Sequence, residues 1–262
     1  MLLCIYCINY GGKLKMKKII LGTLALFLVA QVFALNITDP FYMPAKGGFV
    51  SDTTVKKLNS GDMRAYGISE AVHYGIMDNL TIGADLGWGK IKDGDSGLQD
   101  PNFYGRFRAI DEAKNGLLLD LKAYISPSIF DSPYNGKKGV AKGSTDFGFS
   151  VMGGSREWVQ DFVFWAEAGV DLIGSTKATK SSNVLFISGN AKYYLDDLNS
   201  FDGGIFLKKY SAGDGYTGYG IRFDYARLLK DNIAIVPFWS AESHSDKIPS
   251  DVQFGVTLRL TF

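Results

Sequence analysis

The sequence predicts an all-β chain, an antiparallel up-and-down transmembrane β-barrel of about twelve strands. Three observations carry that expectation. The chain ends in strict alternation, with Val252, Phe254, Val256, Leu258, Leu260 and Phe262 separated by Gln253, Gly255, Thr257, Arg259 and Thr261. A period of two held this long suits a tilted strand crossing a bilayer, which takes about ten residues, whereas soluble strands average about five or six. Residues 48–262 divide into about twelve such runs with no useful helix-period segment, and an even count is what single-chain bacterial barrels require. The connections alternate between tight and longer, as when turns lie on one side of a membrane and loops on the other, the short hairpin at 59–62 being the one discordant case.

The elements follow in chain order. Residues 1–15 precede Met16 and read as a mis-assigned upstream extension. Residues 16–34 read as a signal peptide: Lys17 and Lys18, an apolar run from Ile19 to Ala30, then Val32-Phe33-Ala34 before a cleavage point near Leu35. The apolar run is too short for a transmembrane helix. Removing residues 1–34 leaves 228 residues without Cys4 and Cys7, the two cysteines of the chain. Disulfide frameworks, thiol catalysis, cysteine metal sites and a lipidated cysteine are thereby excluded. Four lysines and no acid leave with that segment, so the formal charge falls from +1 to −3 and gives a nucleic-acid partner no support.

Residues 35–47, with Pro40 and Pro44, do not alternate and are expected to form a periplasmic lead or a plug reaching into the lumen; Phe41, Tyr42 and Met43 motivate the plug. The barrel proper is expected over 48–262. Its first run, 48–58, is polar on both faces and must pair with the last, 251–262. The second, 63–76, places Glu70 on the face of Tyr66, Ile68 and Val72, which predicts a bulge or a slipped register. The third, 80–90, sets Leu80, Ile82, Ala84, Leu86 and Trp88 against Thr81, Gly83, Asp85 and Gly87; the fourth, 99–110, sets Phe103, Phe107 and Ala109 against Asn102, Tyr104, Arg106 and Arg108. In the fifth, 116–129, Leu117, Leu119, Leu121, Ala123 and Ile125 oppose Asp120, Lys122, Tyr124 and Ser126. Runs at 143–155, 158–173, 184–195, 201–210, 216–228 and 233–244 complete the count. The seventh and ninth of the twelve are blurred and the eleventh is apolar on both faces. In the tenth, Tyr219, Ile221, Phe223 and Tyr225 oppose Arg222 and Asp224.

A base on the lipid face near the midplane costs about 2–4 kcal/mol, and an acid less, so the alternating charges are assigned to the lumen. The expected lumen-lining set is Asp85, Arg106, Arg108, Asp120, Lys122, Glu167, Asp171, Lys192, Arg222, Asp224 and Arg259, with Asp146 and Asp161 in the wider inventory. Such mixed charges either line a narrow watery path or pair across it and close it. Trp88, Trp158, Trp165, Trp239, Tyr193, Tyr219, Tyr225 and Phe262 fit aromatic girdles at the head-group level.

Other constellations carry less. His244, beside Glu242, Ser243, Ser245 and Asp246, has the residue types of a barrel hydrolase but no accompanying motif, and a polar strand end explains it better. His73 reads as a hydrogen-bonded lumen or girdle histidine. Gly213, Gly215 and Gly218 match a dinucleotide fingerprint in spacing, yet no helix follows. Asp93 and Asp95 read as a solvated turn, and Lys137, Lys138 and Lys142 as a solvated loop that could meet lipopolysaccharide phosphates. No catalytic residue, metal site or cofactor is expected.

Two stretches add a resemblance. Asp39-Pro40-Phe41-Tyr42-Met43-Pro44 with Gly47-Gly48-Phe49, and Tyr74-Gly75-Ile76-Met77-Asp78-Asn79-Leu80-Thr81-Ile82-Gly83-Ala84, resemble segments of small bacterial outer-membrane barrels, in particular outer-membrane transporters of the phenol-degradation type. The terminal Phe262 resembles the residue by which the barrel insertion machinery reads such chains. The resemblance implies passage of small, often hydrophobic molecules and an outer-membrane setting with lipid and lipopolysaccharide as partners. The alternative is a structural or surface-binding barrel with a closed, salt-bridged lumen; the reading from another class is a loop-side hydrolase using His244.

Overall fold

The computed structural model describes residues 37–112, 116–211, 215–245 and 249–262. The proposed extension and signal peptide, with Cys4 and Cys7, lie outside the described residues. Thirteen strands run in chain order: β1 Phe49–Ser60, β2 Met63–Met77, β3 Leu80–Ile91, β4 Ser96–Leu98, β5 Asn102–Ile110, β6 Leu118–Ser126, β7 Asp146–Ser155, β8 Phe162–Ile173, β9 Ser182–Tyr194, β10 Asn199–Tyr210, β11 Tyr216–Lys230, β12 Ile233–His244 and β13 Asp251–Thr261. Each long strand pairs antiparallel with its sequence neighbours, and β13 pairs with β1 from Val50 opposite Thr261 to Ser60 opposite Asp251. Twelve long strands therefore close into an up-and-down barrel, leaving no free edge.

The thirteenth element, β4, falls in the stretch 91–98 expected to be a loop, and the strand expected over 99–110 starts only at Asn102. Leu80 to Asp85 of β3 pair with β5, Trp88 to Lys90 pair with β4, and Gln99 N bonds Gly87 O at 2.8 Å between them. Pro101 has no amide hydrogen to give the ladder, and the Asp100 carboxylate is turned to other work described below. The seventh expected run also begins late, at Phe162. Trp158 to Asp161 form the turn before it, and Asp161 is exposed at φ 63°, so it belongs to that turn and not to the lumen.

Alternation sorts the two faces. Ile82, Leu86, Trp88, Phe103, Phe107, Ile125, Ile187, Ile205, Tyr219, Ile221, Phe223, Phe254 and Leu258 are exposed on the outer wall, while the polar residues between them point inward. Trp165 departs from its expected girdle position: it is 9 % exposed and faces the interior of the barrel. The second strand corrects another expectation. Its register with β1 and β3 is continuous past Glu70, and the irregularity falls at Gly75/Met77 by the turn. Glu70, the middle residue of the 15-residue β2, therefore does face outward with Ile68 and Tyr74. Its carboxylate accepts hydrogen bonds from Ser51 and, at 2.5 Å, Thr53 on the outer face of β1, which is why a single acid is tolerated there.

Inside, five aromatic side chains each sit directly opposite a glycine of the paired strand: Tyr104 and Gly83, Tyr124 and Gly148, Phe186 and Gly169, Phe206 and Gly220, Phe238 and Gly255. A Cβ on any of these glycines would collide with the ring. The absent side chain lets each ring lie flat against the wall and keeps it out of the lumen axis.

Candidate pore lumen

The inward side chains enclose a cavity of about 910 Å³. One end is filled by residues 37–48, which turn into the barrel from the end bearing the short turns, near Asp78 of the β2–β3 turn, where Lys46 N bonds the carboxylate at 3.0 Å. Phe41 is fully buried among Leu118, Met152, Val163 and Trp165, the largest apolar cluster of the interior. The rest of the segment is held through its backbone. Arg259 Nη1 donates to Ile37 O at 2.8 Å, Lys192 Nζ to Thr38 O at 2.7 Å, Arg106 to Pro40 O at 3.1 Å and Tyr42 O at 3.3 Å, and Arg108 Nη2 to Phe41 O. The Asp39 carboxylate accepts from Arg156 Nε and Nη2 at 2.8 and 2.9 Å and from Tyr194 OH at 3.2 Å. Burial opposes charge on the Arg156 guanidinium, but hydrogen bonds to Asp39 and Glu112 in the neighbouring turns outweigh it and raise its pKa above the ordinary value.

The bases that grip this segment are themselves organised by carboxylates. Asp120, whose side chain has no exposure, accepts from Arg106 Nε at 2.8 Å and Arg108 Nε at 2.9 Å. Asp52 accepts two bonds of 2.7 Å from Arg259 across the β1–β13 seam, and His73 Nε2 lies 3.4 Å from the same carboxylate. Without those acids, clustered guanidiniums would repel one another; with them, each cation keeps donors free for the peptide carbonyls. Further along, Lys122 Nζ bonds both Glu167 oxygens at 3.1 Å, Tyr124 OH donates to Asp171 at 2.9 Å, and Arg222 Nε bonds Asp224 at 2.8 Å. Asp85 lines the cavity beside Lys56, and Asp202 lies directly opposite both Asp224 and Lys192.

All eleven residues of the sequence-derived set lie on the inner face, Arg108 and Asp120 against the N-terminal segment and the other nine directly on the cavity. Asp39, Asp52, His73, Tyr104, Tyr124 and Asp202 complete the arrangement. Asp52 and Lys56 went unassigned because β1 is polar on both faces, although both hold its even positions; His73 was read as a lumen or girdle histidine and lies on the lumen side; the role of Asp39 had no sequence signal.

At the loop end, residues 127–145 lie against the mouth. Asp100 accepts amide hydrogens from Ile129, Phe130 and Gly143 at 2.8, 3.0 and 3.0 Å, and Asp95 accepts from Gly139 N at 3.3 Å. Val140 and Lys142 are thereby placed over a vestibule of about 380 Å³ that shares Lys56, Asp85, Asn102 and Tyr124 with the main cavity. Lys142 pairs with Asp146 at 3.1 Å and Lys137 with Asp131 at 2.8 Å, and both lysines stay largely exposed, as the solvated-loop reading expects.

Among the described residues no triad assembles at His244; Asp246 lies outside them. Its Nδ1 lies 2.8 Å from Pro249 O and its Nε2 3.2 Å from Glu242, while Ser243 points to the opposite face of β12. The ring is wedged edge-on against Tyr210 and Tyr216. Among the described residues no three His, Cys, Asp or Glu side chains converge as metal ligands.

No protein-family model matches the chain, and no curated protein matches its sequence. Solved structures do resemble it. An outer membrane channel from Pseudomonas putida F1 superposes with TM-score 0.68 at 9 % identity, covering 86 % of this chain and 100 % of that one. The NanC porin gives 0.51 at 12 % identity over 79 % and 98 %, and the KdgM porin 0.50 at 7 % over 79 % and 97 %. At such identities the likeness is one of architecture: the chain has the fold of outer-membrane β-barrel channels.

Proposed function

We propose that this chain is a passive pore or transporter for small molecules in a bacterial outer membrane. The observation that carries the reading is a closed twelve-stranded barrel with an apolar outer wall and a cavity of about 910 Å³ inside. The cavity wall combines ion pairs with aromatic rings laid flat, a surface that suits small solutes carrying both an apolar face and a polar or charged group. The short-turn end, where the N-terminal segment enters, is then periplasmic, and the loop end external.

One observation favours a second reading. The periplasmic end is filled by a segment tied down through five backbone carbonyls, which is what a closed structural barrel would also display. Purified protein in a planar bilayer separates the two. Reproducible conductance steps, enlarged when residues 35–47 are deleted, support the pore. A folded, heat-modifiable barrel that conducts in neither form supports the closed alternative. Among the described residues the hydrolase reading at His244 draws support only from a histidine beside Glu242.

A further inference from the structure

We propose that the outer wall of β1–β3, at its external end, is a binding site for a phosphorylated glycolipid of the outer leaflet. The proposal rests on the outer-membrane reading and deepens it. Lys57, Tyr66 and Lys90 are directly opposite one another across three adjacent strands, all on the outward face, and Arg64 stands one outward position beyond Tyr66 on β2. Two inter-strand steps and one pleat repeat separate these backbone positions, about 10 Å and 7 Å, so three cations cover a patch the size of a phosphorylated disaccharide. Elsewhere at the external end, among the described strands, the outer wall carries one base, Lys209 on β10.

The three cations form no ion pair among the described residues, although Asp62, Asp93 and Asp95 are close in sequence. Lys57 is instead held over aromatic faces, its Nζ 5.7 Å from the Tyr66 ring and 5.5 Å from the Phe254 ring. Tyr66 and Phe254 are exposed level with the lysines, and one row toward the membrane Val55, Ile68 and Trp88 are exposed, above the row in which Glu70 is capped by Ser51 and Thr53. Cations above and a greasy wall below match an amphiphile with phosphate at the head and acyl chains beneath it; a soluble phosphate would leave the lower half unused. The occupant is therefore the lipid.

The test uses the full barrel in detergent, titrated with a bis-phosphorylated lipid A and followed by native mass spectrometry. Wild type is expected to retain one lipid, and the variant Lys57→Gln/Arg64→Gln/Lys90→Gln to bind at least tenfold more weakly. Lys137→Gln/Lys138→Gln/Lys142→Gln, in the loop, should bind as wild type does. Equal retention of dephosphorylated lipid A, displacement by inorganic phosphate at equal concentration, or undiminished binding by the wall variant would overturn the proposal. Single variants Arg64→Gln and Lys90→Gln give the same answer should the triple variant not fold. A heat-modifiable barrel that binds no lipid sinks this inference alone, whereas a chain that stays soluble without detergent removes the pore reading as well.

Discussion

Replacing Phe41 by alanine tests whether the N-terminal segment is a seated plug. The ring is fully buried against Leu118, Met152, Val163 and Trp165, with the Arg156 guanidinium 5.6 Å from its centroid. Truncating a buried Phe costs about 3–5 kcal/mol in a dry core. Here the void borders a hydrated lumen, so the lower value, about 3 kcal/mol, applies. The strands that form the pocket stay paired without the ring, so the loss falls on the seated state of the segment, and the seated-to-unseated ratio should drop roughly 150-fold. The assay is thiol labelling. No cysteine follows Cys7, so Met43→Cys, at a position 7 % exposed, reports on the plug alone when a maleimide too bulky for the lumen is supplied from the periplasmic side. Labelling should quicken by about two orders of magnitude in the Phe41→Ala background, with heat-modifiable gel mobility unchanged. An unchanged labelling rate in a folded barrel would refute the reasoning, because it would mean the carbonyl contacts alone hold the segment.

The remaining predictions concern the wall, the lumen and a turn. Gly148→Ala should lower single-channel conductance without unfolding the barrel, because the new methyl meets side-chain atoms of Tyr124 and tips that ring into the lumen; a wild-type conductance would contradict the flat-ring account. Ser51→Ala with Thr53→Val should destabilise the barrel by about 2–3 kcal/mol in urea titrations, since it strips a lipid-facing carboxylate of two charge-assisted bonds. Adding Glu70→Leu should recover most of that loss, and failure to recover it would place the carboxylate's partners elsewhere. In the β9–β10 turn, hydrogen bonds from the Asn199 side chain, the Leu198 amide and the Asn199 amide lower the Asp196 pKa below its ordinary value. A depressed acid stabilises above its unfolded value and loses that contribution as pH falls through the folded one. The turn should therefore loosen below about pH 4, read as collapse of the Asn199 side-chain amide shifts, and Asp196→Asn should show no such transition.

Strand faces were readable from sequence because lipid imposes them: wherever one side of a strand must be apolar, a period of two follows, as in Leu80 to Trp88 and Val252 to Leu260. Where the outer wall is not wholly apolar the pattern misleads. Glu70 looked like a slip in register because the hydroxyls that satisfy it belong to a different strand. Partnering inside the lumen was invisible for a related reason. Lys122 and Glu167 are 45 residues apart with a whole strand between them, and Arg259 meets Asp52 across 207 residues, so only closure of the sheet brings them together. Trp165 was misplaced because an aromatic residue reads alike whether it anchors in a head-group layer or packs on a plug. The break at Pro101 was the more legible miss, since proline inside a run of paired strand is itself a warning.

Apart from the Asp39 carboxylate and the Phe41 ring, the grip on residues 37–42 is made on peptide oxygens that every amino acid carries. Exchanging Thr38, Pro40 or Tyr42 would leave these carbonyl bonds in place, whereas exchanging Arg106, Arg108, Lys192 or Arg259 would not. The stopper's specification is written in the vessel. In a lineage of such barrels, substitutions would accumulate in the inserted peptide while the basic residues facing it stay fixed, and an unrelated extended peptide carrying an acid two residues before an aromatic ring would seat in the same place.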